Sequence, residues 1–289
     1  MQNYLHHYTS FDGLHGIVKS DCLWATDAFT SNDKSELRHG IFLLEKFLVQ
    51  KKCDTKSVRK LLSFFWKTTD VLSKGVFVLS LSRAKNEYSA ENGLLSQWRG
   101  YGNFLIKFGI EEFKNVLSDH EEKNKSKMIV VLDGNLDEIG YFDDNGEHAG
   151  GGKEYKKYFD EHLKELLASA KLGEGFPNQT EEKIQAALRN FFAVMSMSKH
   201  YGFEEEKECR IANIVWKNSD VKVGFCEKNK QPRSYIELFS GQVKDLIKEV
   251  VIGPMASQLS VKNNIEILLR QNKIEGCEVK ISKTPYIGS

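Results

Sequence analysis

Two hydrophobic periods run along this chain, one of about 2 residues and one of about 3.6, and together they predict its elements. Residues 4–9 are aromatic and β-prone and stop at Ser10, a good helix N-cap. Leu14, Ile17 and Val18 then form one stripe of a helix over 11–19, and a short strand over 22–26 follows. Asn32, Asp33 and Ser35 are suited to cap a long helix whose Ile41, Leu44, Phe47 and Leu48 keep the helical period. A second helix, from about 57 to 72, is amphipathic through Leu61, Leu62, Phe65 and Trp66, and the two read as a helical hairpin on one flank. Gly75 opens an apolar strand over 76–82 that looks buried on both faces until its two serines. After a polar loop come a short helix over 94–101, a strand over 104–108, a helix over 110–117 and a strand over 128–132.

Residues 143–153 look flexible, and helices cover about 154–171 and 180–197. The stretch 203–216 begins as an acidic run and ends as a β-branched strand without Gly or Pro. A hairpin (221–225 and 234–239), a strand over 249–252, a helix over 258–271 and a strand over 277–282 close the chain. Strands occur throughout while helices fall in two clusters. This predicts an α+β fold: one mixed or antiparallel central sheet in a single domain, 1–289, with helical insertions at about 33–72 and 154–197.

Composition narrows the class. With 40% hydrophobic and 28% charged residues the chain has an ordinary globular profile. The net charge of +1 argues against wholesale electrostatic binding to nucleic acid or membrane, while leaving room for a local basic patch. There is no apolar run long enough for a membrane span and no signal-peptide plan at the start. The five cysteines are scattered, without a CxxC pair, which disfavours a disulfide framework or cysteine-based zinc site. A cytoplasmic, reduced protein is expected.

Three constellations could carry chemistry. His7, Tyr8 and Thr9 end the first strand, and an imidazole and a hydroxyl two residues apart on a strand point the same way, able to hold a ribose hydroxyl and an amide. Ser80 and Ser82 likewise share a strand face, and Trp98 and Tyr101 lie side by side on a helix, suiting a flat ring such as a base or nicotinamide. A strand starting at Glu206 would align Glu206, Glu208 and Arg210 on one face, where a carboxylate could stabilise an oxocarbenium-like transition state and the arginine could keep it ionised or hold phosphate. Each has a plainer reading: a histidine satisfied by backbone, a core tryptophan, a cross-strand ion pair. Glu205 and Lys207 offer an E-x-K pair for a metal-dependent nuclease, without a recognisable aspartate on a preceding strand.

Several stretches together resemble the bacterial family called domain of unknown function 2971 (DUF2971): YLHHYTSFDGLHGIV, NDKSE, VFVLSLS followed by SQWRGYG, EKECRI, IKEVVIGPMAS and VKISKTPY. The opening HYTSFDGLHGIVKSDCLW is also similar to the start of ADP-ribosyltransferase-like folds. That second resemblance implies an ADP-ribosyltransferase-like fold and NAD as co-substrate. His7 and Thr9 would grip ribose and amide, Tyr101 or Trp98 would stack near the nicotinamide, and Glu208 or Glu206 would drive its loss. It implies a cytoplasmic NAD-cleaving enzyme that transfers ADP-ribose to a protein, nucleic acid or water, of the kind found among toxins and phage-defence effectors. The alternatives are a non-catalytic nucleotide-binding sensor or interaction module, and the nuclease.

Overall fold

The computed structural model describes residues 4–30, 34–50, 55–131, 136, 138–151, 155–171, 180–228 and 231–285. Strand β1 (Tyr4–Thr9) runs into α1 (Phe11–Ser20), whose first turn is capped by Ser10 accepting a hydrogen bond from the Gly13 amide at 3.2 Å. Then follow β2 (Leu23–Asp27), α2 (Lys34–Gln50), α3 (Thr55–Leu72) and β3 (Ser73–Ser82). The expected caps Asn32 and Asp33 lie outside the described residues. The polar loop expected after β3 contains a helix, α4 (Glu87–Asn92), started by a capping box in which Asn86 and Ser89 satisfy each other's backbone amides. Next come α5 (Leu95–Tyr101), β4 (Phe104–Gly109), α6 (Ile110–Asn124) and β5 (Met128–Val131). The stretch expected to be flexible contributes β7 (His148–Gly150), which pairs with β6 (Gly140–Phe142); residues 152–154 are outside the description. Helices α7 (Tyr155–Lys171) and α8 (Glu181–Ser196) lead to β8 (Ser198–His200), a 3-10 turn over Tyr201–Glu206, and β9 (Glu208–Trp216). The hairpin β10 (Gly224–Lys228) and β11 (Gln231–Leu238), then α9 (Val243–Leu246), β12 (Ile247–Ile252), α10 (Gln258–Gln271) and β13 (Glu278–Ile281), complete the order.

Ten strands form one mixed, largely antiparallel sheet, as the α+β expectation requires; its parallel pair is β12 with β13. The sheet forks at β3. Strand β9 lies along one edge of β3 from Ser73 to Ser82, and β5 lies outside β9. The other edge of β3 is shared, β2 pairing at Phe77–Val78 and β1 at Ser82. One arm of the fork is β2–β11–β10 and the other is β1–β4–β12–β13. Ser80 sits in the crotch between them.

The two faces of the sheet differ. On one, Leu5, Leu79, Leu81, Ile106, Ile211 and Val250 pack with α1, α6 and α10 in a continuous apolar core. On the other, two apolar clusters stand apart. Val76, Ala212, Ile214 and Trp216 pack under α2, α3, α7 and α8, while Tyr8, Leu105 and Val251 pack under Trp98 of α5. The expected hairpin of α2 and α3 is therefore part of a larger helical layer, in which α2 packs chiefly on α8. Polar residues fill the gap between the two clusters.

Candidate functional site

Residues paired across strands point to the same face of a sheet. Following the register from β9 outward, Glu208 pairs with Ser82, Ser82 with His6, His6 with Lys107 and Lys107 with Glu249. Five consecutive strands thus contribute one polar side chain each to a row across the sheet, and every one of the five is at most 6% exposed. The row lies on the less apolar face, between the cluster under α8 and the cluster under Trp98. Alternation along β3 and β9 brings Ser80 and Arg210 to the same face.

At the β9 end the charges are tightly paired. Arg210 donates to Glu208 through Nε at 2.7 Å and Nη2 at 2.9 Å, and its Nη1 reaches the Ser196 carbonyl at 2.8 Å. Lys199 Nζ lies 3.0 Å from Glu208 and 2.8 Å from Glu206. The Glu208 amide donates to the Tyr141 hydroxyl at 2.8 Å. Burial works against the Glu208 carboxylate, but Arg210 and Lys199, with the hydroxyl of Ser80, outweigh it and hold its pKa below the usual carboxylate range. Glu208 is therefore an ionised acid at neutral pH.

The middle of the row is uncharged. Burial, reinforced by the nearby Lys107 ammonium, pushes the His6 imidazole down to about 3, so the ring is neutral. The Ser82 hydroxyl is 4% exposed and has no hydrogen-bond partner among the described residues. A buried hydroxyl left unpaired costs about 1–3 kcal/mol, and such groups are kept where something else supplies the partner. Two residues earlier on the same face, Ser80 is exposed. Solvent thus reaches this face in the crotch of the fork, next to the orphaned hydroxyl, the neutral imidazole and the ionised acid. At the far end Glu249 is held between Lys107 and Lys280. Lys107 has its pKa lowered because burial outweighs its pairing with Glu249.

Aromatic rings stand beside the row. Trp98 meets the Tyr8 ring edge-on, centroids 4.9 Å apart, and donates from Nε1 to the Asn92 carbonyl at 3.1 Å. Gly93 and Gly253 press on the indole so closely that a Cβ at either would lie 2.5 or 2.6 Å from it, which is why these two turns carry no side chain. Helix α5 contacts the 3-10 turn that carries Glu206, and the exposed rings of Tyr101, Tyr201 and Phe203 lie on these two segments.

The expected site residues are therefore divided. Ser80, Ser82, Glu208 and Arg210 come together on one face, with Tyr8 and Trp98 forming the apolar wall beside them. Trp98 is nine-tenths buried and built into the core, whereas Tyr101 is 40% exposed at the end of α5. Glu206 does not share a strand with Glu208: Lys207 takes a left-handed backbone (φ 48°) and β9 starts one residue later. The two acids meet instead through Lys199. His7 and Thr9 occupy the opposite face, the side of Leu5, where Thr9 lies against Gly13 of α1. His7 Nδ1 lies 3.4 Å from the Ser80 carbonyl at the fork. The imidazole next to Ser82, with Glu208 on the far side of that serine, is His6.

His6, Lys107, Glu249 and Lys199 were not singled out from the sequence. Their signal was present, since a lysine inside FLIKFG and a glutamate inside IKEVVIG are charges set in apolar strands, which survive burial only when paired. Among the described residues no group of three or more His, Cys, Asp or Glu side chains is arranged to hold a metal ion. No helix among them is long and apolar enough to cross a membrane. Comparison with known protein families, curated proteins and solved structures found no match to this chain.

Proposed function

We propose that the polar face around Ser80, Ser82 and His6 binds a nucleotide of the NAD type and that the protein cleaves its nicotinamide–ribose bond there. The observation that carries this reading is the buried, unpartnered Ser82 hydroxyl beside the solvent-open Ser80, flanked by a neutral imidazole and an ionised carboxylate. A ligand entering at Ser80 would give Ser82 a partner, and His6 can both donate and accept toward a ribose hydroxyl. The aromatic edges of Tyr8 and Tyr101 suit a flat ring. In cleavage the C1′–N bond breaks with its electron pair leaving on nicotinamide, and water or an acceptor hydroxyl then adds to the cation and releases a proton. Glu208 remains a carboxylate throughout and opposes the developing positive charge. This is the reaction that the likeness to ADP-ribosyltransferases implies, with His6 in the place expected of His7.

A second reading, nucleotide binding without turnover, is favoured by one specific feature. Arg210 and Lys199 already neutralise Glu208, which weakens its pull on a ribosyl cation. Both readings are tested by incubating the protein with NAD, following nicotinamide release by chromatography and melting temperature by calorimetry, for wild type and Ser82→Ala. Release by wild type that Ser82→Ala abolishes, with an unchanged melting temperature, supports cleavage at this site. Stabilisation by NAD without release supports the binding module. If neither occurs, the nucleotide assignment fails.

A further inference from the structure

Helix α3 carries a second feature, remote from the polar row and independent of the reading above. Its Val58, Leu61, Leu62 and Phe65 are buried in the core, whereas Lys56, Arg59, Lys60, Ser63 and Lys67 are exposed. At about 100° per residue these five, with the half-buried Phe64, fall within an arc of roughly 140° on the outward side. They line an open concavity of about 730 Å³. None of the four cations forms an ion pair with another described residue. Along this helix, Asp70 is the one acid that follows on the same side. A chain whose net charge is only +1 thus gathers four positive charges on one helix face about 17 Å long.

We infer that this face of α3 is a docking site for a short tract of single-stranded nucleic acid. Charge complementarity selects a polyanion, and the spacing of cations along the groove suits a run of phosphates rather than one isolated anion. Phe64, set among the cations, selects the single strand: sequence-independent binders combine a positive groove with aromatic faces on which unpaired bases stack. Ser63 adds a hydroxyl donor for a phosphate oxygen.

The test is fluorescence anisotropy of a labelled oligothymidylate of about 12 nucleotides titrated with the full-length protein. Wild type is expected to bind with an affinity that falls with salt at a log–log slope of about −3, from four cations at about 0.7 each. The double variant Lys60→Glu/Lys67→Glu, altered only at exposed positions, is expected to keep its melting temperature and to bind at least about tenfold more weakly. Phe64→Leu is expected to weaken binding with the salt slope unchanged. Wild-type affinity in the double variant would overturn the inference, as would binding to a polyglutamate of matched charge as tight as binding to the oligonucleotide.

Discussion

The two charged ends of the polar row are built from the same parts but are balanced in opposite ways. At the β9 end two acids, Glu206 and Glu208, face two cations, Lys199 and Arg210, and none of the four side chains is more than 15% exposed. At the β12 end a single buried acid, Glu249, lies between Lys107, whose side chain is 3% exposed, and Lys280, at 42%. The pKa directions follow. Glu208 is held ionised because its cations outweigh burial, while Lys107 is pushed toward losing its proton because burial outweighs Glu249. One end is closed in charge and has no inexpensive escape, and the other can relax by releasing a proton. Between them lie the neutral His6 and the unpartnered Ser82, the part of the row that has something to offer a ligand.

That contrast can be broken by mutation. The largest effect is expected from Glu208→Gln, which leaves Lys199 and Arg210 facing each other without their shared acid in a dry site; chemical denaturation should show a loss of about 3–5 kcal/mol. Any catalytic role for Glu208 has to be judged with this loss measured alongside. Next comes acid sensitivity. The folded-state pKa of His6 is lowered, so between about 3 and 6.5 the unfolded chain binds the extra proton. This stability contribution is complete above 6.5 and is lost as pH falls toward 3, about 3 kcal/mol between pH 6.5 and 4. Glu208, also lowered, contributes stability that is present above the ordinary carboxylate range and lost only below it. His6→Asn should therefore flatten the stability profile from pH 6.5 to about 4.5 and leave the acid limb in place.

Glu249→Gln is expected to destabilise less than Glu208→Gln, by about 2 kcal/mol, because Lys107 can lose its proton and Lys280 can turn to water. Equal losses from the two substitutions would show that the ends do not differ as described. The smallest effect belongs to Ser82→Ala. Removing a hydroxyl that has no partner should leave stability unchanged or raise it by up to about 1 kcal/mol. A clear destabilisation would mean that Ser82 is already satisfied in the folded protein, and the row would lose its candidate for ligand recognition.

Local rules made much of the scaffold legible. β1 has the bounds its aromatic, β-prone run suggests, α1 begins where Ser10 offers a cap, and α10 has the span its period implies. Other elements rest on subtler local chemistry. α4 is only six residues long and shows itself chiefly through the reciprocal Asn86–Ser89 cap. β9 begins at Glu208 and not earlier because Lys207 turns left-handed. The candidate site was half legible. SLS and the Glu208–Arg210 pair were found because a strand whose apolar run ends in polar side chains is a clear signal. Which histidine shares the face of Ser82 is not legible locally, since β1 is covered on both faces and HHYT fits either parity; the pairing places His6 there and His7 on the other face.

By itself the sequence determined most of the strands and helices, that they form an α+β fold around a mixed or antiparallel sheet, and that hydroxyls, an acid and an arginine stand near strand ends. These are properties of neighbours along the chain, settled by caps, periods and turns. Only the tertiary structure decided the fork at β3, the alignment of Glu208, Ser82, His6, Lys107 and Glu249, and the enclosure of Glu208 by Lys199 and Arg210. The physical reason is register: a shift of one residue in pairing turns a side chain to the other face, and pairing between strands as much as about 215 residues apart is set by how the whole sheet buries its apolar sides.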